Sequence, residues 1–292
     1  GNPGTYYRFV FRSTDIKNIP NKKGKIIIVD PKRVVRHAIP QADFAFDLES
    51  IDILADGRVV LLSERLRSLI GENGLAREYD NQLSEFGNIG LEGLAIRKID
   101  DGSSRVAALW EGGYPAYNDV SAQLQKCVGR LPLRPVIWIH DIEEKASGFR
   151  KIKKKHIVRD LELAVPTPKG QEPYAQRFRA PDLVWCKQGL NEEDWGFIVL
   201  LSSNDSPDTM RGKPKFKYQW LQRFSSKGMS NGQPLDLDDY VPEHLIGANW
   251  EGLSWFEPGK SVVVMHDKMP KTPSPVIIVE LPLDWCGAMT EK

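Results

Sequence analysis

The sequence predicts an all-β fold, a β-propeller of about five blades with small helical insertions, four or six blades being the alternatives. Three observations predict it. Short β-branched and aromatic runs recur between Gly, Pro, Asn and Asp turns. One acid-led hairpin is repeated four times along the chain. Regular strand–helix alternation is absent, which speaks against doubly wound sheets and TIM barrels.

The strand-like runs, in order, are KIIIVD (25–30), GRVVLLSE (57–64), RVAALWE (105–111), PVIWIHD (135–141), GFIVLLSS (196–203), SVVVMHD (261–267) and PVIIVEL (275–281). All are too short for ordinary helices. Two stretches read as helical decorations. DVSAQLQKCVGRL (119–131) has apolar residues at helical spacing, and LDLDDYVPEHLIG (235–247) has room for a turn or two.

The repeat is visible in FDLESIDILADGRVVLLSER (46–65), GLEGLAIRKIDDGSSRVAALWEG (90–112), APDLVWCKQGLNEEDWGFIVLLSSN (180–204) and NWEGLSWFEPGKSVVVMHDK (249–268). Each opens on an acid, runs through an apolar strand and a turn, and returns through a second apolar strand to a polar residue. The opening acids are Glu49, Glu92, Asp182 and Glu251, and the closing residues are Glu64, Glu111, Ser203 and Asp267. A third strand follows three of the hairpins, in PVIWIHD, KYQWLQRF (217–224) and PVIIVEL. KIIIVDPKRVVRHAIP (25–40) reads as the outer strands of a further blade. Its inner strand is YYRFVFR (6–12), or else it pairs with the C-terminus. Residues 1–292 are therefore expected to form one propeller domain whose ring is closed by N- and C-terminal strands. A β-sandwich of look-alike hairpins is the competing fold, but it would not need an acid at the same place in every hairpin.

In a propeller the innermost strands line a central channel, and the next strand of each blade runs antiparallel to them. The start of the first strand and the end of the second thus meet at one mouth. Glu49, Glu92, Asp182 and Glu251 are expected as an inner ring there. Glu64, Glu111, Ser203 and Asp267 are expected just outside it, with Ser63, Arg65, Asn204, His266 and Lys268 at the same level. Crowded carboxylates repel, so some are protonated or a cation is bound. Oxygen ligands suit a hard cation such as Ca2+, whereas His266 alone makes a poor zinc site. The metal-ligand candidates are Glu49, Glu92, Asp182, Glu251 and Asp267. Glu64 and Glu111 are the candidate general bases. Arg65, Arg179, His266 and Lys268 are the candidate substrate-binding groups, with Arg67 and Arg177 as further cations nearby.

Composition sets outer limits. The chain has 40 Lys and Arg against 39 Asp and Glu, a balance that gives no general drive towards nucleic acid. No apolar run reaches the ~20 residues of a membrane-spanning helix. An export signal is expected to have preceded Gly1, placing the protein in the periplasm or outside the cell. The three cysteines, Cys127, Cys186 and Cys286, allow one disulfide and leave one thiol over. Trp110, Trp250 and Trp255 lie inside the repeats and read as blade-packing residues.

DLESIDILADGRVVLLSERLRSL, NIGLEGLAI with ALWEGG, and NWEGLSWFEPGKSVVVMHDK resemble the phytase-like propeller domain described as "esterase-like activity of phytase". Bacterial SdiA-regulated propellers have similar wording. The resemblance runs from about Asp43 to Leu281. It implies a calcium-dependent, usually exported propeller with phosphoesterase or esterase activity, and Glu49, Glu92 and Glu251 as channel acids. The third repeat departs from the pattern, with Asp182 in APDLVW where Glu-Gly is expected. Two functions follow: a metal-dependent hydrolase of a small anionic or ester substrate, or a non-catalytic propeller whose rim binds a ligand or a protein.

Overall fold

Every second strand in a blade is apolar at successive positions, because both of its faces are covered. In 195–204, Phe197, Val199 and Leu201 point into one core, and Ile198 and Leu200 into the next. In 103–110, Ala107 and Leu109 share the first of those cores, while Val106 and Ala108 enter a third. The period-2 side-chain alternation of each sheet thus stitches it to both neighbours, which is the packing logic of a propeller.

The computed structural model describes residues 5–39, 48–54, 56–64, 66–72, 76–79, 90–100, 103–112, 134–143, 157–166, 178–204, 216–266 and 275–287. The N-terminal strands are β1 (Thr5–Phe9), β2 (Ile16–Asn18), β3 (Lys25–Ile27) and β4 (Val34–Ala38). Blade one comprises β5 (Leu48–Ile53), β6 (Val59–Ser63), β7 (Ser68–Gly71) and β8 (Ala76–Glu78). Blade two comprises β9 (Leu91–Asp100), β10 (Ser103–Trp110), β11 (Val136–Glu143) and β12 (Ile157–Glu162). Blade three comprises β13 (Phe178–Lys187), β14 (Trp195–Asn204), β15 (Phe216–Phe224) and β16 (Leu235–Asp236). Blade four joins β17 (Trp250–Glu257), β18 (Ser261–His266) and β19 (Val276–Glu280) to β3 and β2. Its C-terminal β19 pairs antiparallel with β3, Ile277 opposite Ile26. The inner strands pack in the order β5, β9, β13, β17.

Four blades are complete, and the N-terminal residues account for the expected count of about five. β1 and β4 form a separate two-stranded ribbon. Tyr6 of the ribbon packs on Ile39, Leu61 and Ile70 on the blade-one side. Phe9 and Phe11 pack on the free face of blade four, Phe11 stacking on Phe256 at 5.9 Å. Two strands therefore sit between blades four and one, where a fifth blade would need more.

Residues 235–247 fold as β16 and two 3-10 turns, Leu237–Asp239 and Glu243–Leu245, the first capped by the Asp236 side chain on the Asp238 amide. Residues 119–131 lie outside the described residues. Among the described residues, no helix is long and apolar enough to cross a membrane. Cys186, late in β13, is disulfide-bonded to Cys286 beyond β19, closing a sequence separation of 100 residues. Cys127 lies outside the described residues.

Candidate functional site: the carboxylate mouth of the channel

A β-bulge at the start of each inner strand shapes the mouth. Leu48 faces Ser63 and Ser50 faces Leu62, which leaves Glu49 as the extra residue. The same shift isolates Glu92 between Leu91 and Gly93, and Glu251 between Trp250 and Gly252. A bulge bends the strand and re-aims the unpaired side chain. The three acids are thus in equivalent places for a backbone reason.

Blade three is different. Arg179 faces Ser202 and Asp182 faces Leu200, so Ala180 and Pro181 together oppose Leu201. Leu200 lies three residues before Ser203. Leu61, Ala108 and Val264 lie three before Glu64, Glu111 and Asp267, and they face Ile51, Leu94 and Leu253. Asp182 is therefore level with Ile51, Leu94 and Leu253, deeper than the ring in which the sequence placed it. Its carboxylate accepts from the Leu253 amide at 2.7 Å, the Leu183 amide at 2.9 Å and the Ser50 hydroxyl at 3.3 Å. Ser50 in turn accepts from the Leu94 amide at 3.1 Å. One buried carboxyl group thereby ties all four inner strands together. Burial pushes its pKa well above the usual carboxylate range, against the pull of those amides.

Arg179 occupies the mouth in blade three. Its guanidinium donates to Glu251 at 2.5 Å and to Asn249 at 2.7 Å, and lies 3.5 Å from Glu111. Asn249 also donates to Glu251, at 2.6 Å. Burial works against the Arg179 charge, but Glu111, Glu251 and Glu92 outweigh it and hold the group protonated more firmly than usual.

Next to Arg179, ligand oxygens of Glu64, Glu92 and Glu111 lie within 4.8 Å of one another. Glu64 and Glu111 are buried and Glu92 is half-buried. Burial, and then the charges of Glu111, Glu49 and Glu64, push the Glu92 carboxyl well above its ordinary pKa, with Arg179 pulling it back. Arg67 closes the bottom of this cluster. It is 1% exposed, lies 4.0 Å from the Glu64 carboxylate and donates to the Glu64 carbonyl. Its φ of 49° is in the left-handed region, which folds the chain back under Glu64. Gly90 lies against it: a Cβ there would stand 1.6 Å from the Arg67 guanidinium, so a larger residue would displace that side chain.

His266 is buried with its ring edge-on to Trp250 at 5.5 Å, and burial lowers its pKa while Glu251 opposes the shift. Arg65, Asp267 and Lys268 lie outside the described residues. Of the described candidates, the fold brings Glu49, Glu64, Glu92, Glu111, Arg179, Glu251 and His266 to one mouth and takes Asp182 out of it. Sequence reasoning missed Asn249, which stands two residues before Glu251 in NWEG. Arg67, read as one of the cations near the acids, is indeed beside Glu64 but buried. Pro181 is the signal that displaces Asp182, since a proline inside a strand marks a bulge.

No protein-family model and no curated protein matches the chain. Solved structures with a related outline include virginiamycin B lyase from Staphylococcus aureus. A catalytically inactive variant with quinupristin superposes with a TM-score of 0.31 and 11% identity, over 95% of this chain and 100% of that one. A selenomethionine-substituted form gives a TM-score of 0.33 and 11% identity over the same shares. Superposition at this level carries no argument about activity.

Proposed function

We propose that the carboxylate mouth holds a hard divalent cation, Ca2+ by preference, and hydrolyses a small phosphoester or carboxylic ester. The observation that carries this reading is the Glu64–Glu92–Glu111 cluster. Five carboxylates at the mouth (Glu49, Glu64, Glu92, Glu111 and Glu251) face two guanidinium groups (Arg67 and Arg179) among the described residues, an excess of negative charge in a buried setting. An all-oxygen donor set fits calcium and disfavours zinc. Glu64 and Glu92, with Glu49, are the proposed ligands. A bound cation would polarise the substrate and make a water more acidic.

Arg179 suits an anionic oxygen, because its planar fork presents five N–H donors. Glu111, beside that guanidinium, is the proposed general base. It takes a proton from the attacking water as the water oxygen bonds to phosphorus or the acyl carbon. The ester P–O or C–O bond breaks, and the proton passes to the departing alkoxide. Assay of generic aryl phosphates and aryl esters, with calcium and with chelator, tests the reading. Calcium-dependent turnover lost in Glu111→Gln supports it, and no turnover of either class sinks it.

Arg179 also favours a second reading, a non-catalytic binding propeller. It is the charged group that blade three places at the mouth, and it already supplies a cation to Glu111 and Glu251. Retained ligand or protein binding without turnover would select it. The Cys186–Cys286 bond supports an oxidising location, the periplasm or the cell exterior.

A further inference from the structure

The far end of the channel is built differently from the carboxylate mouth. The four inner strands enclose a cavity of about 90 Å³ there. β5 contributes Ile51 and Asp52, β9 Leu94 to Arg97, β13 Val184 and Trp185, and β17 Leu253 to Trp255. The rim carries apolar groups: Ile51 is 42% exposed and Trp255 is half-buried. The walls are rigid. The Trp185 indole N–H donates to the Ala95 carbonyl and the Trp255 indole N–H to the Trp185 carbonyl, each at 3.1 Å. Arg97 is clamped between the Trp185 and Trp195 rings, 4.8 and 4.6 Å from their centroids. Among the described residues that line the cavity the one carboxylate is Asp52, which accepts from the Ile96 amide at 2.5 Å and the Ile53 amide at 2.8 Å. Each oxygen accepts up to two hydrogen bonds, so both keep acceptor capacity.

We infer that this cavity is a second binding site, for a primary ammonium group on a short apolar stem, with Asp52 as its counter-ion. Apolar side chains beside a single carboxylate suit that chemistry, with the other charged group of the lining, Arg97, stacked against the Trp185 and Trp195 rings. The indole of Trp255 adds an aromatic face for the cation, and the small volume limits the stem to a few carbons. The cavity shares no lining residue with the carboxylate mouth.

The groups around Asp52 set its pH response. Asp182 of β13 is its acidic neighbour, and each opposes a second charge in the buried channel. Arg97 of β9 lines the same cavity but is held by its two indoles. β6 sets Val60 opposite it. The acids of β17, Glu251 and Glu257, lie at that strand's two ends. Burial raises the Asp52 pKa to about 7 against the two amides. An alkylammonium is charged throughout this range, so the complex needs ionised Asp52 and strengthens as pH rises through 7.

The test is binding of n-butylamine, with n-butanol as the uncharged probe, followed by chemical-shift perturbation and thermal shift on the full chain with chelator present. Expected are saturable butylamine binding at pH 8, at least about tenfold weaker affinity at pH 5.5, and butanol weaker than the amine at pH 8. Asp52→Asn should lose the pH dependence and at least about tenfold in affinity. Ile51→Lys, at an exposed position, should occupy the site with its own ammonium and block the probe without disturbing the fold. Equal binding of amine and alcohol, unchanged affinity in both variants, or no amine binding at pH 8 would overturn the inference.

Discussion

Replacing Arg179 with Met removes the cation at the mouth and keeps most of the side-chain volume. The structure sets the cost. The guanidinium is bonded to Glu251 and Asn249 and lies 3.5 Å from Glu111, with 22% of its side chain exposed. Breaking a buried pair from one side typically costs about 3–5 kcal/mol, because the remaining charge is stranded. Here two carboxylates lose their partner, and the partial exposure argues for the lower end, about 3 kcal/mol. For a chain of 292 residues each kcal/mol moves the melting temperature by about 1.5–2 °C, so a fall of about 5–6 °C is expected in chelator. Millimolar calcium should then recover more stability in Arg179→Met than it adds to the wild type, because the vacated positive charge is replaced by a bound one. Differential scanning calorimetry with chelator and with calcium reads both effects. A melting temperature unchanged or raised by Arg179→Met in chelator would refute the charge balance drawn for the mouth.

Asp182→Ala leaves the amides of Leu253 and Leu183 and the Ser50 hydroxyl without their acceptor, and should cost about 2–6 kcal/mol by chemical denaturation without altering calcium affinity. Asp182→Asn, which retains one acceptor, should cost less. The raised pKa of Asp52 means that the folded state binds its proton more tightly than the unfolded chain. That contribution is present below the unfolded carboxyl pKa and is lost as pH rises towards 7. Stability should fall more steeply from pH 4 to 7 in the wild type than in Asp52→Asn, as read by melting across that range. Reducing the Cys186–Cys286 bond releases a loop closed over 100 residues and should destabilise the fold by up to about 4–5 kcal/mol, seen as a lower melting temperature in reductant.

The blades were legible because the pattern behind them is local. A buried strand needs apolar residues on both faces, and GRVVLLSE, RVAALWE, GFIVLLSS and SVVVMHD carry them in one-dimensional order. Glu49, Glu92 and Glu251 were legible for the same reason, since each leads a repeat. Asp182 was misplaced because order along the chain sets the repeat, whereas the bulge at Ala180 and Pro181 drops the acid two positions down the strand. The incomplete fifth blade was hidden because β3 could pair either with YYRFVFR or with the C-terminal strand. The choice between them depends on long-range packing. Asp52 left no signal beyond an acid in an apolar strand, and its placement at the far end of the channel needs all four inner strands at once.

The central claim is that the carboxylate mouth binds a cation, and calorimetric titration of chelator-treated protein with calcium tests it most directly. The wild type should bind saturably. Glu92→Gln, which removes one charge from the Glu64–Glu92–Glu111 cluster, should bind at least about tenfold more weakly, a loss of about 1.4 kcal/mol or more. No saturable binding by the chelator-treated wild type, or equal affinity in Glu92→Gln, would contradict it, as would a chelator melting temperature that rises in the variant and no longer responds to calcium in either protein.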